Sequence, residues 1–130
     1  MKLTNQKKLT LTIERADGVL WGRTEYDDNL LVESSETQEG LEASLKTLLH
    51  DFHDLDPARV EFTIEYHLTA FFQEFDFLKI TKIAELAGLN GSLLRQYVSG
   101  KKNPSSTQAQ KIETAIHQLG DKLAGVHLYA

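Results

Sequence analysis

The chain has 130 residues, of which 41% are hydrophobic and 25% are charged, a balance typical of a soluble globular protein with one medium domain or two very small ones. Cysteine is absent, which excludes disulfides and thiolate metal sites. No apolar run approaches the roughly 18 residues of a membrane helix, and the first residues lack a signal-peptide core. These features favour a cytoplasmic protein without membrane association.

The charges are unevenly distributed along the chain, whose net charge is −5. Residues 1–78 contain 7 basic and 16 acidic side chains, a net charge of −9, whereas residues 79–130 contain 7 basic and 3 acidic side chains, a net charge of +4. Such asymmetry predicts two parts with different partners. The basic part suits a phosphate backbone, and the acidic part suits a basic protein.

The first third of the chain has the two-residue period of β-strands. Residues 9–13 alternate apolar and polar side chains, which predicts a half-buried strand. Asp17-Gly18 then supplies the positive φ angles of a hairpin turn, and residues 19–25 form the returning strand. A second turn at residues 27–29 leads to a third strand at residues 30–32. The pattern is that of a β-meander.

The next segment changes to the period of a helix, capped by Ser35 or Thr37 and ending before Asp56-Pro57. Its predicted buried stripe consists of Leu41, Leu45, Leu48, Leu49 and Phe52. Residues 60–66 alternate again and predict a fourth strand. The order βββαβ indicates an α+β domain over residues 1–67, a small antiparallel sheet with one covering helix.

Residues 68–130 show no strand pattern and predict an all-α domain. Residues 68–75 form an aromatic-rich helix, and further helices follow at residues 81–87, 91–99 and 106–123. The last helix is capped by Ser105 or Ser106. Its predicted buried stripe consists of Ala109, Ile112, Ile116, Leu119 and Leu123.

The middle pair of these helices has the features of a helix-turn-helix. Ala84 is a small residue where two helices would cross, Gly88 allows a positive φ at the turn, and Asn90 caps the second helix. Gly100 ends that helix ahead of a basic loop. The predicted inward-facing residues are Ile83, Ala87, Leu89, Leu94 and either Tyr97 or Val98. This combination indicates binding of double-stranded DNA.

The outward face of the second helix is the candidate reading surface. Ser92, Arg95 and Gln96 would reach base edges, since Arg suits the paired acceptors of guanine and Gln suits adenine. Lysines and small polar residues around it would contact phosphates. The alternative is the solvated face of an ordinary helix. The candidate DNA-contacting residues are Thr81, Lys82, Asn90, Gly91, Ser92, Arg95, Gln96, Ser99, Lys101, Lys102 and Asn103.

Two resemblances follow from these motifs. The spacing of Ala84 and Gly88 and the loop Ser-Gly-Lys-Lys-Asn-Pro at residues 99–104 resemble the Cro/repressor-type (XRE) helix-turn-helix family. The meander followed by residues 36–45 is similar to the HicB-type antitoxins, which join a partial RNase H-like domain to a DNA-binding tail. Val32-Glu33-Ser34-Ser35 stands where such domains commonly carry a Pro-Gly-Cys-like stretch.

These resemblances imply a DNA-binding antitoxin and transcriptional autorepressor of a HicA/HicB-like toxin–antitoxin system. The implied partners are an operator duplex, a basic HicA-like toxin and further copies of the chain in a homodimer or higher homo-oligomer. The alternative is a solitary helix-turn-helix regulator whose N-terminal domain dimerises or binds a small ligand. Trp21, Phe52 and Phe62 would then line a pocket, although such aromatic residues more often fill a core or a dimer face.

An enzyme is not expected, and no cofactor or catalytic residue is assigned. Asp27, Asp28, Asp54 and Asp56 lie in predicted turns rather than on neighbouring strands, which disfavours a metal-dependent nuclease. His50 and His53 are spaced to share a metal with Asp54, but a further ligand is not evident. No metal site is therefore predicted.

Overall fold

The computed structural model describes residues 6–130 and divides into two compact units after Phe71. The predicted domain boundary lay after residue 67. The described residues form a four-stranded sheet and five α-helices, so the expected combination of a sheet with helices is confirmed. Among these residues, no helix combines the length and the apolar character needed to cross a membrane.

The first unit is built around a mixed sheet with the strand order β3-β2-β1-β4. Its strands are β1 (Lys7–Ala16), β2 (Val19–Tyr26), β3 (Asn29–Ser35) and β4 (Val60–Tyr66). β1 pairs antiparallel with β2, and β2 with β3, but β4 pairs parallel with β1, so the expectation of an antiparallel sheet is wrong. The reason is the helix between β3 and β4: it carries the chain back across the sheet, and β4 then runs in the same direction as β3 and β1.

Both hairpin turns are two-residue turns with left-handed backbone angles. Asp17 and Gly18 have φ angles of 54° and 80°, and Asp27 and Asp28 have φ angles of 54° and 63°. Two consecutive positive φ angles match the right-handed twist of the flanking strands. Aspartate tolerates this region better than most residues. The turns predicted at these positions are confirmed.

Helix α1 (Gln38–His53) covers one face of the sheet. Thr37 Oγ1 accepts the N–H of Gly40 at 3.0 Å, so Thr37 rather than Ser35 is the cap. Leu41, Leu45 and Leu49 are fully buried in the same cluster as residues of β1 and β2. Phe52 was expected in this stripe but is 75% exposed, because it lies in the last turn of α1 beside the edge strand β3.

Aromatic and glycine positions on β2 show which face of the sheet is covered. Gly22 faces the core, where an added Cβ would lie 2.9 Å from Leu11 Cδ1 and 3.1 Å from Leu41 Cδ1. Trp21 points to the opposite, uncovered face and is exposed, so it is not a core residue. Phe62 on β4 is half-buried against the core.

The helices that follow β4 are α2 (Leu68–Glu74), α3 (Ile80–Ala87), α4 (Gly91–Ser99) and α5 (Ser106–Ala124). α3 packs against both α4 and α5. The buried residues of the second unit are Phe72, Ile83, Ala84, Leu94, Tyr97, Ile112 and Ala115.

The stripe predicted for α5 is only partly correct. Ile112 is buried, and Ile116 and Leu119 are half-buried, but Ala109 and Leu123 are exposed. Ala115 is buried in their place. The 19-residue α5 packs against the 8-residue α3, which is too short to cover α5 along its length.

Candidate nucleic-acid interface

The turn between α3 and α4 depends on Gly88. Its φ angle is 72°, and its N–H is directed at the carbonyls of Ala84 and Glu85. The N–H of Leu89 also donates to the Ala84 carbonyl at 2.9 Å, which completes the pair of bonds that commonly ends a helix at a left-handed glycine. The chain can therefore leave α3 and start α4 within three residues.

Asn90 begins α4 as a cap. Its Oδ1 accepts the N–H of Ser92 at 2.7 Å and that of Leu93 at 3.4 Å. These bonds satisfy two amides that have no partner inside the helix. Asn90 was predicted both as a cap and as a DNA contact. Its side-chain oxygen accepts the two capping hydrogen bonds. Only its amide nitrogen remains to donate to an outside acceptor.

The guanidinium of Arg95 lies over the first turn of α4. A Cβ on Gly91 would lie 3.6 Å from Arg95 Nη1 and 3.8 Å from Nη2, which is ordinary van der Waals contact, so the guanidinium lies directly beside the backbone of Gly91. Nη1 donates to Thr81 Oγ1 at 3.4 Å, a long hydrogen bond between exposed groups. The structure thus brings together Thr81, Gly91 and Arg95 at the starts of α3 and α4.

Gln96 does not point outward as predicted. It is half-buried, and its Oε1 is enclosed without a hydrogen-bond partner among the described residues. Gln96 is the residue directly after Arg95, and consecutive residues of a helix are rotated by about 100°. The two side chains therefore point in different directions. Ser92, Arg95 and Ser99 are exposed, and Gly91 is half-buried.

The loop after α4 folds back onto the end of that helix. Gly100 has a φ angle of 84° and donates its N–H to the Tyr97 carbonyl, and the N–H of Lys102 donates to the Gln96 carbonyl at 3.2 Å. Lys101, Lys102 and Asn103 are exposed. The backbone of this loop is therefore held while its basic side chains face water.

Lys82 is exposed near the start of α3, and its Nζ lies 3.7 Å from Glu85 Oε1. Both side chains are more than 60% exposed, so this ion pair contributes little to stability and competes weakly with an outside anion. The geometry leaves Lys82 available to contact a phosphate.

A groove of about 360 Å³ between α3 and α5 had no counterpart in the sequence predictions. It is lined by Leu86 and Ala87 of α3 and by polar side chains of α5, among them Lys111 and Gln118. Leu86 is about half exposed. Leu86 follows the buried Ile83 by three residues, which places it at the border of the buried stripe of α3, and it was not among the residues predicted to face inward.

The aspartates considered for metal chemistry have structural roles. Asp27 and Asp28 form a hairpin turn, Asp54 has a φ angle of 57° at the end of α1, and Asp56 Oδ1 accepts the N–H of Ala58 at 3.0 Å. His50 lies 3.4 Å from Asp51, its neighbour in sequence. Across residues 6–130, no three His, Asp or Glu side chains are grouped closely enough to hold a metal ion.

Comparisons with protein-family models, with curated proteins and with solved structures found no match to this chain. The geometry of its own residues is therefore the basis on which a function is assigned.

Proposed function

We propose that the chain is a DNA-binding transcriptional autorepressor in which α3 and α4 act as a helix-turn-helix. The observation that carries this proposal is the position of the Arg95 guanidinium, exposed over the first turn of α4 and bonded to Thr81 at the start of α3. In helix-turn-helix proteins the N-terminal residues of the second helix contact base edges in the major groove. Ser92 lies at that end of α4, and Arg95, the middle residue of the helix, extends its guanidinium over it.

The surrounding residues fit contacts to the DNA backbone. Thr81 and Lys82 lie in the first turn of α3, and Lys101, Lys102 and Asn103 lie in the loop beyond α4. Exposed lysines and short polar side chains are the usual donors to phosphate oxygens. The net charge of +4 over residues 79–130 supports the same partner. Gln96 is removed from the set of base-reading residues, because its amide oxygen is buried.

We further propose that the first unit is an antitoxin domain of the HicB type, with a basic HicA-like toxin as its partner. The uncovered face of the sheet has an excess of acidic side chains: Glu14, Glu25, Glu61 and Glu65 lie there together with two basic residues, Lys8 and Arg23, and Arg23 is paired with Glu14. A basic protein would be held by electrostatic and steric complementarity, and no catalytic step is required. The alternative is a solitary regulator whose first unit dimerises or binds a small ligand.

The DNA-binding proposal is tested with the full chain and a pool of random duplexes. Repeated selection should enrich one sequence, and Arg95→Ala should bind that sequence more weakly while its affinity for unselected DNA stays the same. Lys111→Ala is the matched control, since Lys111 is an exposed basic residue of α5 outside the candidate set. Failure to enrich any sequence would remove the repressor assignment.

The antitoxin proposal is tested separately, by co-expressing the chain with the basic protein encoded by the adjacent reading frame. A stable complex that is lost in the double variant Glu61→Lys/Glu65→Lys supports an acidic docking face. DNA binding without any such complex favours the solitary regulator.

A further inference from the structure

The outer edge of β3 has unpaired backbone groups. β3 is the last strand of the sheet, and among residues 6–130 no strand pairs with its outer side. Tyr26 and Asn29 flank the two-residue turn and form a hydrogen-bonded pair, so alternate residues of β3 bond to β2. The backbone N–H and C=O groups of Leu30, Val32 and Ser34 therefore point away from the sheet.

The side chains at this edge are apolar. Leu30 is 59% exposed and Val32 is 47% exposed, both on the uncovered face of the sheet. On the opposite face, Phe52 of α1 is 75% exposed beside the same strand. A groove of about 550 Å³ follows the strand here, and its lining includes Leu30, Val32, Leu48 and Phe52.

The other edge of the same sheet is different. β4 carries Glu61, Thr63 and Glu65 at its exposed positions. Natural sheets commonly protect a free edge with charged residues, because an apolar edge pairs with other strands. β4 has that protection and β3 lacks it. One edge of this sheet is therefore suited to pairing with another strand.

We propose that β3 pairs antiparallel with β3 of a second copy of this chain, so that the two sheets form one continuous sheet. With Leu31 on the two-fold axis, Leu30 of one copy lies opposite Val32 of the other, and Glu33 lies opposite Asn29. Apolar side chains then face apolar side chains, and no like charges are directly opposed. A register centred on Glu33 would place two glutamates opposite each other, which disfavours it.

The same two-fold symmetry gives a contact to the exposed side chain of Phe52. The two-fold axis of an antiparallel strand pair is perpendicular to the sheet, so the α1 helices of both copies lie on one face. Phe52, at the end of α1 beside β3, then meets the other copy instead of water. A single isologous contact thus gives an apolar neighbour to each of the three most exposed apolar side chains of this region, Leu30, Val32 and Phe52.

The pairing requires nothing from the second unit and is tested without DNA. Sedimentation equilibrium of the full chain should show a dimer. Val32→Lys should raise its dissociation constant by about 100-fold or more, because each lysine would lie opposite the apolar Leu30 of the other copy and diagonally beside the other lysine. Thr63→Lys is the matched control, an exposed mid-strand position on the opposite edge, and should leave the constant unchanged within about twofold.

A second variant tests the apolar contribution without adding charge. Leu30→Ser/Val32→Thr should weaken the dimer by about tenfold, and circular dichroism with thermal melting verifies that each variant keeps the fold. A monomeric wild-type chain would overturn the proposal and leave the edge to a strand of another protein. A dimer that survives Val32→Lys, or that Thr63→Lys disrupts equally, would also overturn it.

Discussion

At the scale of single residues, Gly88 is the position where the turn between α3 and α4 requires a positive φ angle. An added Cβ would meet nothing within 4 Å, so a substitution there is penalised by its φ angle of 72° and not by a clash. Gly88→Val should lower the free energy of unfolding by about 1–3 kcal/mol, since a β-branched residue is strained at positive φ. Urea or thermal unfolding measures this loss.

Gly120 provides the control for that experiment. It lies inside α5 without a positive φ angle and also has open space around its Cβ position. Gly120→Ala should therefore stabilise the protein by about 0.5–1 kcal/mol, the opposite sign. If Gly88→Val melts as the wild type does, the turn does not depend on the left-handed angle.

Substitutions of Arg95 and Lys101 test the proposed division between base reading and phosphate binding. Arg95→Ala should cost roughly 1–3 kcal/mol on the selected duplex and little on random DNA, because a guanidinium bonded to guanine discriminates between bases. Lys101→Ala should weaken both duplexes to a similar extent, because every sequence presents phosphates. Fluorescence anisotropy titrations measure both. If Lys101→Ala loses discrimination and Arg95→Ala does not, the helix assigned to the groove is the wrong one.

At the scale of elements, Asn90 at the start of α4 allows the stability of the helix and the proposed DNA binding to be tested separately. Asn90→Ala removes the cap and should cost about 0.5–2 kcal/mol of stability. Asn90→Asp keeps a capping oxygen and adds a negative charge that favours a helix N-terminus, so it should melt at or above the wild-type temperature. The same charge should weaken binding to DNA.

We therefore expect Asn90→Asp to keep the full stability of the protein while its affinity for DNA falls. Asn90→Ala should not separate the two quantities in this way. Thermal melting and anisotropy titration on the same samples give both quantities. Undiminished DNA affinity of Asn90→Asp would place the DNA away from the start of α4.

The elements also show what local sequence patterns determine. The alternation of residues along β1 to β4 and the caps Thr37, Asn90 and Ser105 act within a few residues, and these elements lie close to their predicted positions. The parallel pairing of β4 with β1 joins segments about fifty residues apart, and periodicity carries no information about which strand becomes the neighbour.

The candidate interface follows the same division. The glycine turn and the cap of α4 are local features and were predicted. The contact of Arg95 with Thr81 and the burial of Gln96 Oε1 depend on how α3, α4 and the following loop pack, so the sequence could not supply them. The exposure of Phe52 likewise reflects the extent of the sheet and not the pattern of α1.

At the scale of the whole molecule, the net charge is −5, although residues 79–130 have a net charge of +4. Long-range attraction of DNA by the chain as a whole is not expected at this net charge, and binding must come from cations that touch phosphates. Each contacted phosphate releases condensed counterions, whereas acidic residues elsewhere on the chain release none. The dependence of affinity on salt concentration therefore reports the number of phosphates contacted by basic side chains and does not depend on the net charge of the chain.

The salt dependence of the full chain provides the last prediction. If Lys82, Lys101 and Lys102 each neutralise one phosphate, the logarithm of the binding constant should fall against the logarithm of salt concentration with a slope of about −3 per bound chain. Lys101→Ala should reduce the magnitude of this slope by about one unit. Glu61→Gln/Glu65→Gln, which removes two negative charges from β4 in the first unit, should leave it unchanged. Titrations at several salt concentrations measure all three slopes. An equal change of slope in both variants would show that the acidic residues of the first unit take part in the interface with DNA.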